Sequence, residues 1–210
     1  GYFFFFLEMS KAVESFKAAI EAANKLNEAL KEYCLPGDSI PVNVDNLCRA
    51  LKECYNVKVE IRKLRPKSGV LLGMIEIYEH KAVVRIAAGL SASLEKYVII
   101  KEFAHIITTN ADNATKDPVS NIEHMVSGIL FPDNGDEPDE VFLAEEIAKI
   151  VAMEVLFPTV IRRKAKADIA EGRDSIFKLA EWLEIPEKLV ETALSDRYEH
   201  AMRVLGVDPN

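Results

Sequence analysis

The chain is short of cysteine, of histidine and of positive charge. Its 210 residues hold three cysteines and four histidines. Cys34, Cys48 and Cys54 are odd in number and never spaced C-x-x-C, which argues against a disulfide framework and predicts the reduced thiols of a cytoplasmic protein. Cys48 and Cys54 stand six apart, so a single helix would aim them at different faces. Lys and Arg number 26 against 34 Asp and Glu, a formal charge of −8. An acidic surface disfavours broad contact with a phosphate backbone, so nucleic acid is not the expected partner. No run of roughly 18 apolar residues occurs, so no transmembrane helix and no membrane partner are expected. The opening Gly1–Glu8 has no basic stretch and is too short for a signal peptide. Residues 1–8, ahead of Met9, are read as a tag or a disordered peptide.

What is present is enough apolar material, 49% of the chain, to build one core. Residues 10–33 carry Val13, Phe16, Ile20, Ala23, Asn27 and Leu30 at helical spacing, with Ser10 as a start signal and Leu35-Pro36-Gly37 as a stop. That stripe serves either the core or the seam of a homodimer. A helix over 43–55 and a strand over 57–61 follow. Residues 70–78 and 82–87 read as two strands joined at Glu79-His80-Lys81, with His80 in solvent. Ser91 or Ser93 then caps a helix running to about 108. Residues 109–138 are polar and rich in turn formers, which suggests a lid or binding insertion. Helices are expected over 139–157, 159–169, 174–183 and 186–204. The basic run Arg162, Arg163, Lys164, Lys166 reads as a solvated face. The expectation is a mainly helical α+β chain with a small three-stranded sheet, a long N-terminal helix over 9–35, a central domain over 36–160 and a helical tail over 161–210.

Chemistry concentrates on Lys101-Glu102-Phe103-Ala104-His105. This is the zinc-peptidase pattern His-Glu-x-x-His with lysine in the first position. In that pattern two histidines hold zinc and the glutamate activates water. An ammonium must lose its proton before it can ligate a metal. Tyr97, Lys101 and His105 share a helix face, with Glu102 beside them. On the helix expected over 139–157, Val141, Glu145, Ala148, Ala152 and Val155 form a stripe that is apolar except for Glu145. A carboxylate in such a place needs a cation, a metal or several donors. If the two helices pack, Glu145 joins His105 and Glu102. Glu146 lies on a neighbouring face without that demand.

These segments resemble the two motifs of the ImmA/IrrE metallopeptidases. Lys96-Tyr97-Val98-Ile99-Ile100-Lys101-Glu102-Phe103-Ala104-His105 is similar to R-x-F-T-x-A-H-E-x-x-H. Glu145-Glu146-Ile147-Ala148-Lys149-Ile150-Val151-Ala152-Met153-Glu154-Val155-Leu156-Phe157-Pro158 is similar to E-x-x-A-N-x-F-A-x-x-L-L-M-P. A family-like tail follows over 176–186, and the likeness covers about residues 36–205. It implies a zincin-like α+β fold and intracellular proteolysis of a transcriptional repressor, often in mobile-element or stress regulation. It implies His105 and Glu145 as metal ligands and Glu102 as the catalytic base. The chain departs from the family at Lys101, and also at Val98 and Lys149, where Thr and Asn are usual.

Two protein ligands are too few for a catalytic zinc, which takes three and a water. The expected state is therefore metal-free, with no cofactor and with Lys101 paired to Glu145, while zinc remains the alternative. His124 or an acid of the insertion could supply the missing ligand in that case. The leading functional expectation is a non-catalytic regulator that binds a protein or peptide, in the family's manner a transcriptional repressor. The alternatives are a metallo-endopeptidase that cleaves a repressor, and a DNA-binding regulator using the helices over 174–204. Glu181, Glu184, Glu187 and Glu191 oppose phosphate in the last case.

Overall fold

The computed structural model describes residues 2–33, 42–65, 72–110 and 140–204, with side chains described over 16–33, 42–65, 72–108 and 147–203. Residues 111–138 of the insertion, with His124, and the side chain of Glu145 lie outside the described residues. The elements are α1 Tyr2–Lys31, α2 Val44–Tyr55, β1 Lys58–Leu64, β2 Gly73–Ile77, β3 Lys81–Ala87 and α3 Ala92–Asn110. Then come α4 Glu140–Leu156, α5 Thr159–Ala170, α6 Ile176–Leu183, α7 Glu187–Leu194 and α8 Asp196–Val204. This is the expected α+β chain, helical in the main with one small sheet. Among the described residues no helix is long and apolar enough to cross a membrane.

Helix α3 runs through the middle. Val98, Ile99, Ile100, Phe103, Ala104, Ile106 and Ile107 are all buried, so it is covered on several sides at once. It packs against α4, strands β2 and β3, α1 and α2. From Phe16 onward α1 turns Phe16, Ile20, Ala23, Leu26 and Leu30 inward. These residues of the α1 stripe pack inside the chain. Asn27, the polar member of that stripe, donates from Nδ2 to the Glu154 carbonyl of α4 at 3.0 Å. The helix begins at Tyr2, not at Ser10, so Ser10 is an interior residue rather than a cap.

The strand order is β1-β3-β2, with β1 parallel and β2 antiparallel to β3. The near-continuous apolar run of β3 suits a central strand. The 78–80 turn between β2 and β3 matches the hairpin read from sequence, and His80 is exposed. Ala82, Val84 and Ile86 point inward at α3 and are fully buried. The other face is a charged lattice: Glu60 meets Arg62 at 2.7 Å and Lys81 at 2.8 Å, and Arg85 pairs with Glu76. Hydrogen bonds from Arg62 and then Lys81 hold the Glu60 carboxyl down at about 2. One face of the sheet is therefore largely charged and the other packed.

Helix α2 is capped by Asn43, whose Oδ1 accepts from Asp45 N at 2.8 Å and Asn46 N at 3.3 Å. Cys48 and Cys54 on this helix are free thiols. Burial, reinforced by the Asp45 carboxylate, pushes the Cys48 thiol up to about 11. At pH 8 Cys48 should hold on the order of a hundred-fold less thiolate than an unfolded cysteine. Iodoacetamide labelling followed by mass spectrometry should show Cys48 protected to about that extent, with the rate climbing as pH approaches 11. Equal rates in folded and urea-unfolded protein would contradict this.

The tail is fastened to the central elements by buried polar contacts, and two sequence expectations are corrected here. The residues expected to form one helix over 186–204 form two, α7 and α8, divided at Ser195. The hydroxyl of Ser195 accepts from Tyr198 N at 3.2 Å, so it starts the second helix instead of continuing the first. The basic run on α5 is not wholly a solvated face. Arg162 is buried, and Lys166 pairs with Asp196 at 2.7 Å and Glu199 at 2.5 Å.

Candidate functional site

The site is built on α3. The helix is started by Ser91, whose hydroxyl accepts from Leu94 N at 3.4 Å. Tyr97, Lys101 and His105 follow at four-residue steps and are all half-buried, as a shared face requires. Glu102 points elsewhere, into the space under β2, and is 2% exposed. That space exists because of Gly73. By register Lys63, Ile86 and Gly73 form one inward-facing row across the sheet. A Cβ on Gly73 would stand 2.5 Å from Val98 Cγ1 and 2.7 Å from Glu102 Oε1. The first strand residue of β2 thus rests directly on the glutamate.

The Lys101 ammonium reaches Glu102 Oε1 at 2.9 Å, with side chains 14% and 3% exposed. Neighbouring residues on a helix do not face each other, so the contact relies on the length of the lysine stem. The ammonium meets Oε1 outside hydrogen-bonding alignment: among the described residues, Oε1 is a buried oxygen with no directional donor. The charge is compensated while the hydrogen bond is not made. The ion pair holds nonetheless, because Coulomb attraction at 2.9 Å does not depend on angle.

Of the residues singled out from sequence, the fold brings Lys101, Glu102 and His105 into one turn and a half of α3. It packs α4 along α3, as a joint site requires, and Ala148, Ala152 and Val155 of the proposed stripe are buried. Glu145 lies on α4, one turn before Ala148. The expected Lys101–Glu145 pair involves a side chain outside the described set; Lys101 also forms an ion pair with Glu102.

Zinc does not fit the described residues. No group of three His, Cys, Asp or Glu side chains converges among them, and the first ligand position of the motif holds a cation.

Sequence reasoning missed a second buried polar cluster, at the corner between α4 and α5. Glu154 is 2% exposed and Arg162 6%. They form an ion pair. Pro158 cannot cap α5 with a side chain. Glu154 does so instead, accepting from Thr159 N at 3.3 Å and from Thr159 Oγ1 at 3.2 Å. Arg162 donates to the Phe157 carbonyl at 2.5 Å and to Thr159 Oγ1 at 2.6 Å, and lies 5.1 Å from the centre of the Tyr198 ring. Burial holds the Tyr198 hydroxyl protonated well above the usual phenol range. The available signal was Glu154 itself, an acid in the apolar run Ile150–Phe157 just before a proline.

Lys96 was also missed as a structural residue. It is buried on α3 and donates to the Leu183 carbonyl at 2.9 Å and to Glu184 Oε2 at 2.9 Å. A cation at the end of α6 complements the helix dipole. Glu184 sits there in the left-handed region at φ 55°. The motif helix and the tail are joined through this lysine.

No family model matches the chain, and no curated protein does. Among solved structures, a Mycobacterium tuberculosis transcriptional regulator is similar over 85% of this chain at 13% identity and a TM-score of 0.45. This chain spans 50% of the length of that structure.

Proposed function

We propose that this chain is a relative of the ImmA/IrrE peptidases that works without metal, as a regulator that binds a protein partner. The observation that supports this reading is the buried Lys101–Glu102 ion pair at the place where the motif would put a ligand and a base. An ammonium there balances the carboxylate charge that a metal would otherwise balance. The partner expected by resemblance is a transcriptional repressor. DNA binding through α6 and α7 is the weaker reading. The short Glu184–Pro186 connection suits two crossing helices, yet Glu181, Glu184, Glu187 and Glu191 surround it and repel phosphate.

Metal analysis of the purified chain tests the proposal. The parent protein should carry far less than one zinc per chain, and added zinc should not raise its melting temperature. Lys101→His should gain zinc if Glu145 completes the set, with the gain removed by His105→Ala in the same background. Stoichiometric zinc in the parent, lost on His105→Ala alone, would sink the reading and favour a metallo-endopeptidase.

A further inference from the structure

A groove of about 980 Å3 opens where the tail meets the sheet side of the molecule. Its floor is apolar, formed by Ile99 of α3, Ala180 of α6 and Ile185, all buried. Phe177 of α6 stands in its wall and is 57% exposed, a large aromatic surface left in water. Five carboxylates line the groove from four different helix ends and turns. Glu95 is neutralised by Lys63 at 2.8 Å and Glu184 by Lys96 at 2.9 Å. Asp45, Glu181 and Glu187 form no ion pair with any described residue. Asp45 and Glu187 lie in the first turns of α2 and α7, where an acid favours the helix. That accounts for neither Glu181 nor the exposed Phe177.

We propose that this groove docks a basic segment of a partner polypeptide, with an apolar side chain on the floor and Arg or Lys side chains on Asp45, Glu181 and Glu187. The inference rests on the protein-binding reading and says where and by what chemistry the partner is held. Charge complementarity selects the occupant. Three carboxylates on separate elements, without an ion-pair partner among the described residues, call for several cations on one chain, and they exclude a phosphate backbone. Arginine is favoured over lysine because its plane can also stack on Phe177. The groove is remote in chemistry from Lys101 and Glu102 and needs neither for recognition.

The test uses the full chain and two fluorescein-labelled peptides, Arg-Leu-Arg-Arg-Leu-Arg and its Glu-for-Arg counterpart, followed by fluorescence anisotropy at low and physiological salt. The basic peptide should bind and the acidic one should not. Glu181→Lys and Phe177→Ser should each weaken binding about ten-fold, roughly the loss of one good charged or aromatic contact. Glu21→Lys changes net charge equally on the exposed surface of α1 and should leave binding nearly unaltered. Unchanged thermal melts of the variants would show that they fold. Equal weakening by Glu21→Lys would reduce the effect to bulk charge and overturn the proposal. So would tight binding that survives Glu181→Lys combined with Phe177→Ser, or concentration-dependent self-association abolished by Phe177→Ser. Zinc content is read separately: a zinc-loaded chain that still loses the peptide in the groove variants would refute the metal-free reading and leave the groove standing.

Discussion

Replacing Arg162 with alanine should cost about 3–5 kcal/mol, because it leaves the Glu154 carboxylate buried and without its cation. A domain's whole stability is about 5–15 kcal/mol, so this single change should unfold an appreciable fraction of the protein near physiological temperature. The loss has several parts. The Phe157 carbonyl at the end of α4 loses its donor, Thr159 loses a partner, and the Tyr198 ring loses the cation on its face. Urea unfolding followed by far-ultraviolet circular dichroism measures it. The double variant Glu154→Gln with Arg162→Met supplies the discriminating arm. It removes both charges while keeping an acceptor for Thr159, and should be more stable than Arg162→Ala alone. A midpoint for Arg162→Ala within about 0.5 kcal/mol of the parent would show that the corner does not depend on the pair.

Gly73→Ala should destabilise by about 1–3 kcal/mol, and Gly73→Val by more, since the added carbon falls inside contact distance of Val98 and Glu102. Glu102 cannot swing clear at low cost, being buried and tied to Lys101. Either β2 lifts from α3 or the ion pair is displaced. Adding Val98→Ala in the Gly73→Ala background should recover part of the loss, a coupling that only residues in contact produce. Thermal melts of the parent, the two single variants and the double variant complete the cycle. Strictly additive effects would mean that β2 does not press on this turn of α3.

The lysine in place of the first histidine, the paired glutamate and the later histidine were legible because they lie within five consecutive residues of one helix. Local spacing determines how such side chains are disposed before any fold is known. The same holds for the hairpin at 78–80 and the end of α4 before Pro158. Arg162 shows where local reading stops. It sits in a run of four cations spread over five positions that ordinarily marks a solvated face, and nothing within five residues on its C-terminal side distinguishes it from Arg163. What separates them is the turn at Pro158, which carries α5 back so that one guanidinium meets Glu154 while its neighbour faces out.

By itself, the sequence determined the order of elements up to the break at Ser195, the acidic balance, and the placing of Lys101, Glu102 and His105 within one stretch of a helix. These depend on residue type and on periods of two and 3.6, which are local properties. Only the tertiary structure decided which charges are buried and paired, that Gly73 must be a glycine, that Lys96 ties the tail to α3, and that an acidic groove opens between them. Each of those joins side chains tens of residues apart, and their meeting is set by how the elements pack rather than by the residues at either end.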